Sequence, residues 1–182
     1  MLLIMGVNLY TSRLVLEILG VDNYGIYNVV GGIVALFTII NGALSSGSSR
    51  FLMFELGQRD NTRLKKTFSA SFAIHSFIAL LVLILAETVG LWFVNTQLVI
   101  APGRLYAANW VYQFSVISCL VSLTQVPYNA LIIAHEKMSI YAYIGIYEVL
   151  AKLGMVFSLF YFTFTDVLIL YGGIVCFCSI SV

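Results

Sequence analysis

The stretch Arg50–Lys66, RFLMFELGQRDNTRLKK, decides how this chain is read. It holds Arg50, Arg59, Arg63, Lys65 and Lys66, five of the nine Lys and Arg residues. Long apolar runs lie on both sides of it. An excess of Lys and Arg in a short loop marks the cytoplasmic side of a membrane. With this loop cytoplasmic, the direction of every other apolar run follows by alternation.

Composition sets the solvent. The chain is 61% hydrophobic and only 9% charged, with a mean hydropathy of +1.01. Ordinary soluble domains carry about 25% charged residues. A chain of 182 residues has too little interior to hide so much apolar surface from water. Lipid must cover most of it, and the expected fold class is all-α: a polytopic membrane helix bundle. The net charge of +1 points to no nucleic-acid partner. The basic residues form one loop, not a patch interleaved with base-stacking aromatics. Cys119, Cys176 and Cys178 all fall in apolar runs. Their spacing fits neither a disulfide framework nor a zinc site. They read as small reduced core residues, and no metal or cofactor is expected. The N-terminus lacks the basic region and cleavage site of a signal peptide.

A helical crossing needs roughly 20 apolar residues to traverse about 30 Å of hydrocarbon. Six runs qualify or nearly do: 1–19, 24–48, 68–94, 105–134, 139–164 and 167–182. The basic loop occupies 49–67, and the six runs form a single transmembrane domain. Gly20 to Asn23 reads as a short turn, and Ser45 to Ser49 as the end of the second span. Asn61 is the expected cap of a short helix carrying Arg63, Lys65 and Lys66. Pro127 interrupts the fourth span, where a proline frees a backbone carbonyl and kinks the helix. The sixth run covers only about 24 Å at 1.5 Å per residue. The expectation is therefore a chain cut at both ends, a piece of a larger transporter. Alternation gathers six Lys and Arg on the side of the N-terminus, the basic loop and Lys137, against Arg104 alone on the other. That bias places the N-terminus inside.

Ionisable groups within a span cost roughly 2.5 to 3.5 kcal/mol each to insert, so they are candidates for function. Glu148 and Lys152 lie deepest, about 14 and 20 Å from the inner face. They stand i, i+4 with Glu first, the favourable order for a helical ion pair. Lys152 would face a water-filled cavity and attract an anionic substrate group, with Glu148 in cation or proton coupling. Alternatively the two neutralise each other and only lower the insertion cost. Arg13, paired i, i+4 with Glu17, either binds phosphate in an outward-opening cavity or snorkels to the headgroups. Gln113, Gln125 and Asn129 read as hydrogen-bonding glue between helices, or as hydroxyl partners if a cavity is lined for sugar. Asn28 and Asn41 read the same way. His75 is expected to bond to a neighbouring helix, and Glu87 to sit at the outer interface. No metal motif, nucleophile elbow or P-loop is present, and the loops are too short for a catalytic domain, so no enzyme is expected.

The ordered runs LGVDNYGIYNVVGG, NGALSSGSSRFLMFELG, LKKTFSASFAIH, AETVGLWFVNT, AANWVYQFS and VPYNALIIAHEKM resemble the polysaccharide and O-antigen flippase branch of the MATE-like exporter superfamily. The likeness extends over essentially the whole chain. It implies a transporter of two six-helix lobes, with this chain as most of the N-terminal lobe and a C-terminal lobe missing. The implied activity is flipping of an undecaprenyl-diphosphate-linked oligosaccharide across the bacterial plasma membrane by alternating access, for lipopolysaccharide and other surface polysaccharides. The lipid-linked oligosaccharide and membrane lipids are the implied partners. The candidate cavity residues are Lys152, Glu148, Arg13, Gln113 and Asn129. Two alternatives stay open: a cation-coupled multidrug or metabolite exporter of the same superfamily, and a truncated membrane fragment that transports nothing.

Overall fold

The computed structural model describes residues 2–58, 60–98, 103–135, 137–158 and 166–181. Among them the chain is helical throughout, with turns and no strand. The elements are α1 (Leu2–Gly57), α2 (Asn61–Leu85), a π-helical turn (Ala86–Gly90), α3 (Leu91–Thr96), α4 (Leu105–Ala134), α5 (Met138–Ser158) and α6 (Val167–Ser181). The protein is an all-α helical bundle. Among the described residues three helical stretches are long and apolar enough to cross a membrane: Met5–Gly57, Thr62–Thr96 and Leu105–Ala134. Val167–Ser181 is apolar but shorter.

The first of these holds two of the expected spans. At 1.5 Å per residue α1 would be about 84 Å long if straight, far beyond one crossing. The break falls at Gly20 alone, with φ 75° and ψ 165°. That conformation is essentially reserved for glycine. The expected turn over Gly20 to Asn23 is therefore a one-residue break, and Val21 to Asn23 are already helical. Asn23 bonds back to the Leu19 carbonyl across the break at 2.9 Å.

The basic connector differs more. The serine run does not end a helix, because α1 continues through Arg50 to Gly57. A helix satisfies its own backbone, and Ser49 donates to the Ser45 carbonyl at 2.8 Å instead of opening the turn. The connector contracts to Gln58–Asp60, with Arg59 outside the described residues. Asp60, not Asn61, caps α2: its Oδ1 accepts from the backbone N–H groups of Thr62 and Arg63 at 2.9 and 3.2 Å. A carboxylate there also suits the positive end of the helix dipole. The helix it starts is not short but runs on as the next apolar span. In the same way α4 carries on through buried Pro127 without interruption. The outer part of the expected fifth span, 159–164, lies outside the described residues.

Helix α4 is the hub, packing against α1, α2, α5 and α6. Its buried stripe includes Val111, Tyr112, Val116 and Leu123, which meet Val15 and Val30 of α1 and Leu168 of α6. A second cluster joins Leu52 of α1 to Ala130 and Ala134 of α4, with Leu64 and Phe68 of α2 against it. That cluster brings the basic connector and the α4–α5 connection to one end of the bundle. At the opposite end Arg104 faces Asp166 at 3.8 Å. Phe51, Phe77, Leu36, Trp92 and many other large apolar side chains face outward. An apolar outer surface over a modest core is the pattern that lipid contact permits.

Candidate functional site

The five sequence-derived candidates do not converge. Glu148 and Lys152 lie on the same helix, α5, Glu148 exposed and Lys152 half-buried. Among the described residues neither makes an ion pair, so the expected i, i+4 bridge is not formed. Their helix packs against α6. Their neighbourhood is soft and polar: Cys178 lies 3.9 Å from the Met155 sulfur, and the Tyr147 hydroxyl meets Ser181 Oγ at 3.1 Å. Lys152 is thus a half-buried residue in the middle of a helix, beside a second apolar helix, and among the described residues no carboxylate pairs with its amine.

Arg13 is exposed on the first segment of α1, and Glu17 is exposed too. That pair also forms no ion bridge among the described residues. Asn129 is half-buried on α4, sixteen residues or about 24 Å of helical rise beyond Gln113. Gln113 belongs to a different site.

That site is the seam between the π-helical turn and α4. Gln113 Nε2 donates to Glu87 Oε2 at 3.2 Å. One residue away, the fully buried Tyr112 donates its hydroxyl to the Ala86 carbonyl at 2.8 Å. The Ala86 carbonyl already accepts the Leu91 N–H in the i→i−5 bond of the π turn, and its second lone pair takes the tyrosine hydroxyl. Gly90 makes the approach possible. A Cβ there would lie 2.9 Å from Tyr112 Cζ and closer still to the hydroxyl oxygen. Further along, Asn109 Nδ2 donates to Asn95 Oδ1 at 3.1 Å. Glu87 is therefore half-buried and bonded across helices, not a bare interfacial carboxylate. Sequence reading passed over this turn, although a glycine within an apolar span was its available signal.

The glue reading fits some amides and not others. Gln125 Nε2 reaches across to the Ser179 carbonyl of α6 at 3.0 Å. Asn28 bonds instead to the Tyr24 carbonyl of its own helix at 2.9 Å. The side chain of Asn41 lies outside the described residues. His75 departs from expectation in the same way. Its Nδ1 meets the Ser71 carbonyl of its own helix at 2.8 Å. The three cysteines are buried and free, as their apolar setting predicts.

Two of the cavities between the helices are lined by described residues throughout. One, of about 250 Å³, sits among α1, α4 and α6, where Tyr27, Ser115, Ser118 and Cys119 line it. Ser115 and Ser118 donate back to the Val111 and Phe114 carbonyls, each at 2.9 Å, so their oxygens remain able to accept. Tyr27 packs edge-on against Tyr171, with ring centroids 4.8 Å apart. The other, of about 380 Å³, lies between α1 and α2 near the basic end. None of the five candidates lines either one. Among the described residues no cluster of His, Cys, Asp or Glu could hold a metal. No family model, curated protein or solved structure matches this chain.

Proposed function

We propose that the protein is a transport component of a membrane, not an enzyme. In this reading it forms the N-terminal lobe of a flippase for a diphosphate-linked lipid oligosaccharide in the bacterial plasma membrane. The observation that carries the reading is Lys152. A half-buried ammonium in an apolar helix costs several kcal/mol unless something anionic meets it. No carboxylate does so among the described residues. A substrate diphosphate would supply the partner, with charge-assisted hydrogen bonds that strengthen away from bulk water. The ordered sequence motifs support the same class. The hydroxyl-lined cavity among α1, α4 and α6 offers acceptors for saccharide hydroxyls. With the basic end cytoplasmic, the cationic connector accounts for the orientation.

The test is Lys152→Ala against Lys152→Arg in cells whose surface polysaccharide depends on the protein, normalised to its membrane level. Loss of a charge-assisted contact worth about 1.5–3 kcal/mol lowers flipping roughly 10- to 100-fold in the alanine variant. The arginine variant keeps most of it. Export unchanged by alanine would remove the basis of the reading. A second reading, a cation-coupled exporter, is favoured by Glu148. That carboxylate is not neutralised by Lys152 and stays available to a cation or proton. Under that reading Glu148→Gln abolishes ion-dependent export while Lys152→Ala does not.

A further inference from the structure

We propose that the groove between α1 and α2 holds an acyl chain of an anionic phospholipid, whose phosphodiester is met by Arg50 and Lys66. The inference rests on the chain crossing a membrane and not on what it transports. The cavity in this groove measures about 380 Å³, within the range of small-molecule sites. Ala43, Leu44, Gly47 and Phe51 of α1, with Ala70 and Ile74 of α2, give it an apolar wall. Ala43, Phe51, Ala70 and Ile74 are exposed, so the groove opens to whatever surrounds the helix pair.

Register places the two cations at one end of it. Ser71 Oγ donates to Ser48 Oγ at 3.0 Å, which sets α1 and α2 against each other as antiparallel neighbours. On that register Phe51 stands level with Thr67, and Leu44 with His75, and all four line the groove. From Thr67 to His75 it follows α2 for about 12 Å, starting at the basic connector. Arg50 stands i+3 from Gly47 and i+7 from Ala43, and Lys66 stands i−4 from Ala70. Residues so spaced share a helix face, so each cation continues the lining of its own helix. Arg50 lies two residues from Ser48 and Lys66 five from Ser71, both on the connector side. Their levels therefore differ by about 4.5 Å of rise, less than the reach of either side chain. Both residues are exposed.

Charge sets the sign of the occupant. Arg50–Lys66 carries five Lys and Arg against two acids, Glu55 and Asp60. Asp60 is engaged, pairing with Arg63 at 3.3 Å and capping α2. Glu55 stands one turn beyond Phe51 with its Oε2 buried, and subtracts from the field without reversing it. The end of the groove is thus net positive and favours a phosphate over an ammonium. Basic residues just beyond a membrane helix recognise anionic headgroups in this way. Below the charges, Ser48 and Ser71 bond to each other, and the wall is otherwise mostly apolar. A free phosphate would leave that wall bare. A phospholipid joins phosphate to hydrocarbon, and each methylene it buries in the groove adds to binding.

The experiment uses the full chain in maltoside micelles, with bound lipid counted by native mass spectrometry. Dioleoyl phosphatidylglycerol is titrated against dioleoyl phosphatidylcholine. The expected result is a saturable phosphatidylglycerol site that phosphatidylcholine fills only at much higher concentration. Arg50→Gln with Lys66→Gln weakens it about 30-fold, about fivefold for each cation. Lys65→Gln with Lys137→Gln removes two exposed charges from the same end but off the groove, and loses far less. Gly47→Leu blocks the acyl chain, since a Cβ at Gly47 meets nothing within 4 Å and the new side chain has open space to enter. Ala43→Leu, at an exposed position of the same wall, gives a second block. Unfolding of each variant without lipid checks that the fold is kept. Equal losses from the two charge pairs overturn the proposal, and so does binding that neither leucine weakens. Phosphatidylcholine binding as tightly, or sn-glycerol 3-phosphate displacing the lipid, overturns it too, the last by making the site one for free phosphate.

Discussion

Replacing Gly90 by alanine tests the seam between the π-helical turn and α4. In an ordinary helix interior this exchange stabilises by up to about 1 kcal/mol, because glycine loses more backbone freedom on folding. Here the new methyl would stand 2.9 Å from Tyr112 Cζ and overlap the hydroxyl oxygen outright. Tyr112 is fully buried and cannot swing into lipid without opening the core. Overpacking of this kind costs about 1–3 kcal/mol. Displacing the hydroxyl also breaks its 2.8 Å bond to the Ala86 carbonyl, for about 1 kcal/mol more. Set against the propensity gain, the net is a loss of about 1–3 kcal/mol. For a chain of this size that lowers the unfolding midpoint by about 2 to 12 °C. Thermal unfolding in detergent or nanodiscs, followed by circular dichroism, reads the change. Gly25→Ala is the control, since a Cβ there meets nothing within 4 Å. Tyr112→Phe combined with Gly90→Ala should cost less than the two separate losses added, because the phenylalanine has no oxygen for the methyl to strike. If Gly90→Ala behaves like Gly25→Ala, the close approach of Tyr112 is not what holds this joint, and the argument fails.

Gly20→Ala forces a Cβ into a backbone region that side chains rarely adopt, at φ 75°. It should destabilise by about 1–3 kcal/mol, although no neighbouring atom obstructs it, which separates strain from packing in the same unfolding assay. Asp60→Ala removes the side-chain cap from Thr62 and Arg63, costing about 1 kcal/mol, while Asp60→Asn keeps most of it. A cysteine at position 60 also reports topology: in intact cells it should be sealed from impermeant thiol reagents, and labelling from outside would invert the proposed orientation.

The spans were legible because lipid imposes a length and a composition on any helix that crosses it. The bounds of Leu105–Ala134 match the expected run, but the interruption expected at Pro127 is absent: the buried proline sits inside a continuous helix. The boundaries went wrong where polar sequence is not the same as irregular backbone. Ser45 to Ser49 and Arg50 to Gly57 look like a loop by polarity, yet the helix runs through them. Nothing in their chemistry stops it, and the serine hydroxyls can bond to carbonyls one turn back. What does stop α1 is local and small: a glycine with a positive φ at position 20, and an aspartate at 60 that offers the next helix a cap.

The site was less legible, for a geometric reason. Sequence gives a residue's depth in a span but not which neighbour its face meets. Lys152, Glu148, Arg13, Gln113 and Asn129 were candidates for a cavity, with interhelical glue open for the amides and snorkelling for Arg13. Azimuth separates them: Gln113 turns to Glu87 across the seam, Arg13 and Glu148 are exposed, and Lys152 is half-buried on α5. The i, i+4 rule likewise permits the Glu148–Lys152 bridge without requiring it, since in lipid each charge is drawn as strongly to whatever water or ligand lies beside it. His75 carries the same lesson further. A bond to a neighbouring helix was expected, and the one nitrogen that is bonded meets its own helix instead. The packing of α1 against α2 buries the other nitrogen, and among the described residues it has no hydrogen-bond partner. Which nitrogen is bonded and which is shut in is set by how the two helices meet, and spacing along one helix does not carry that information.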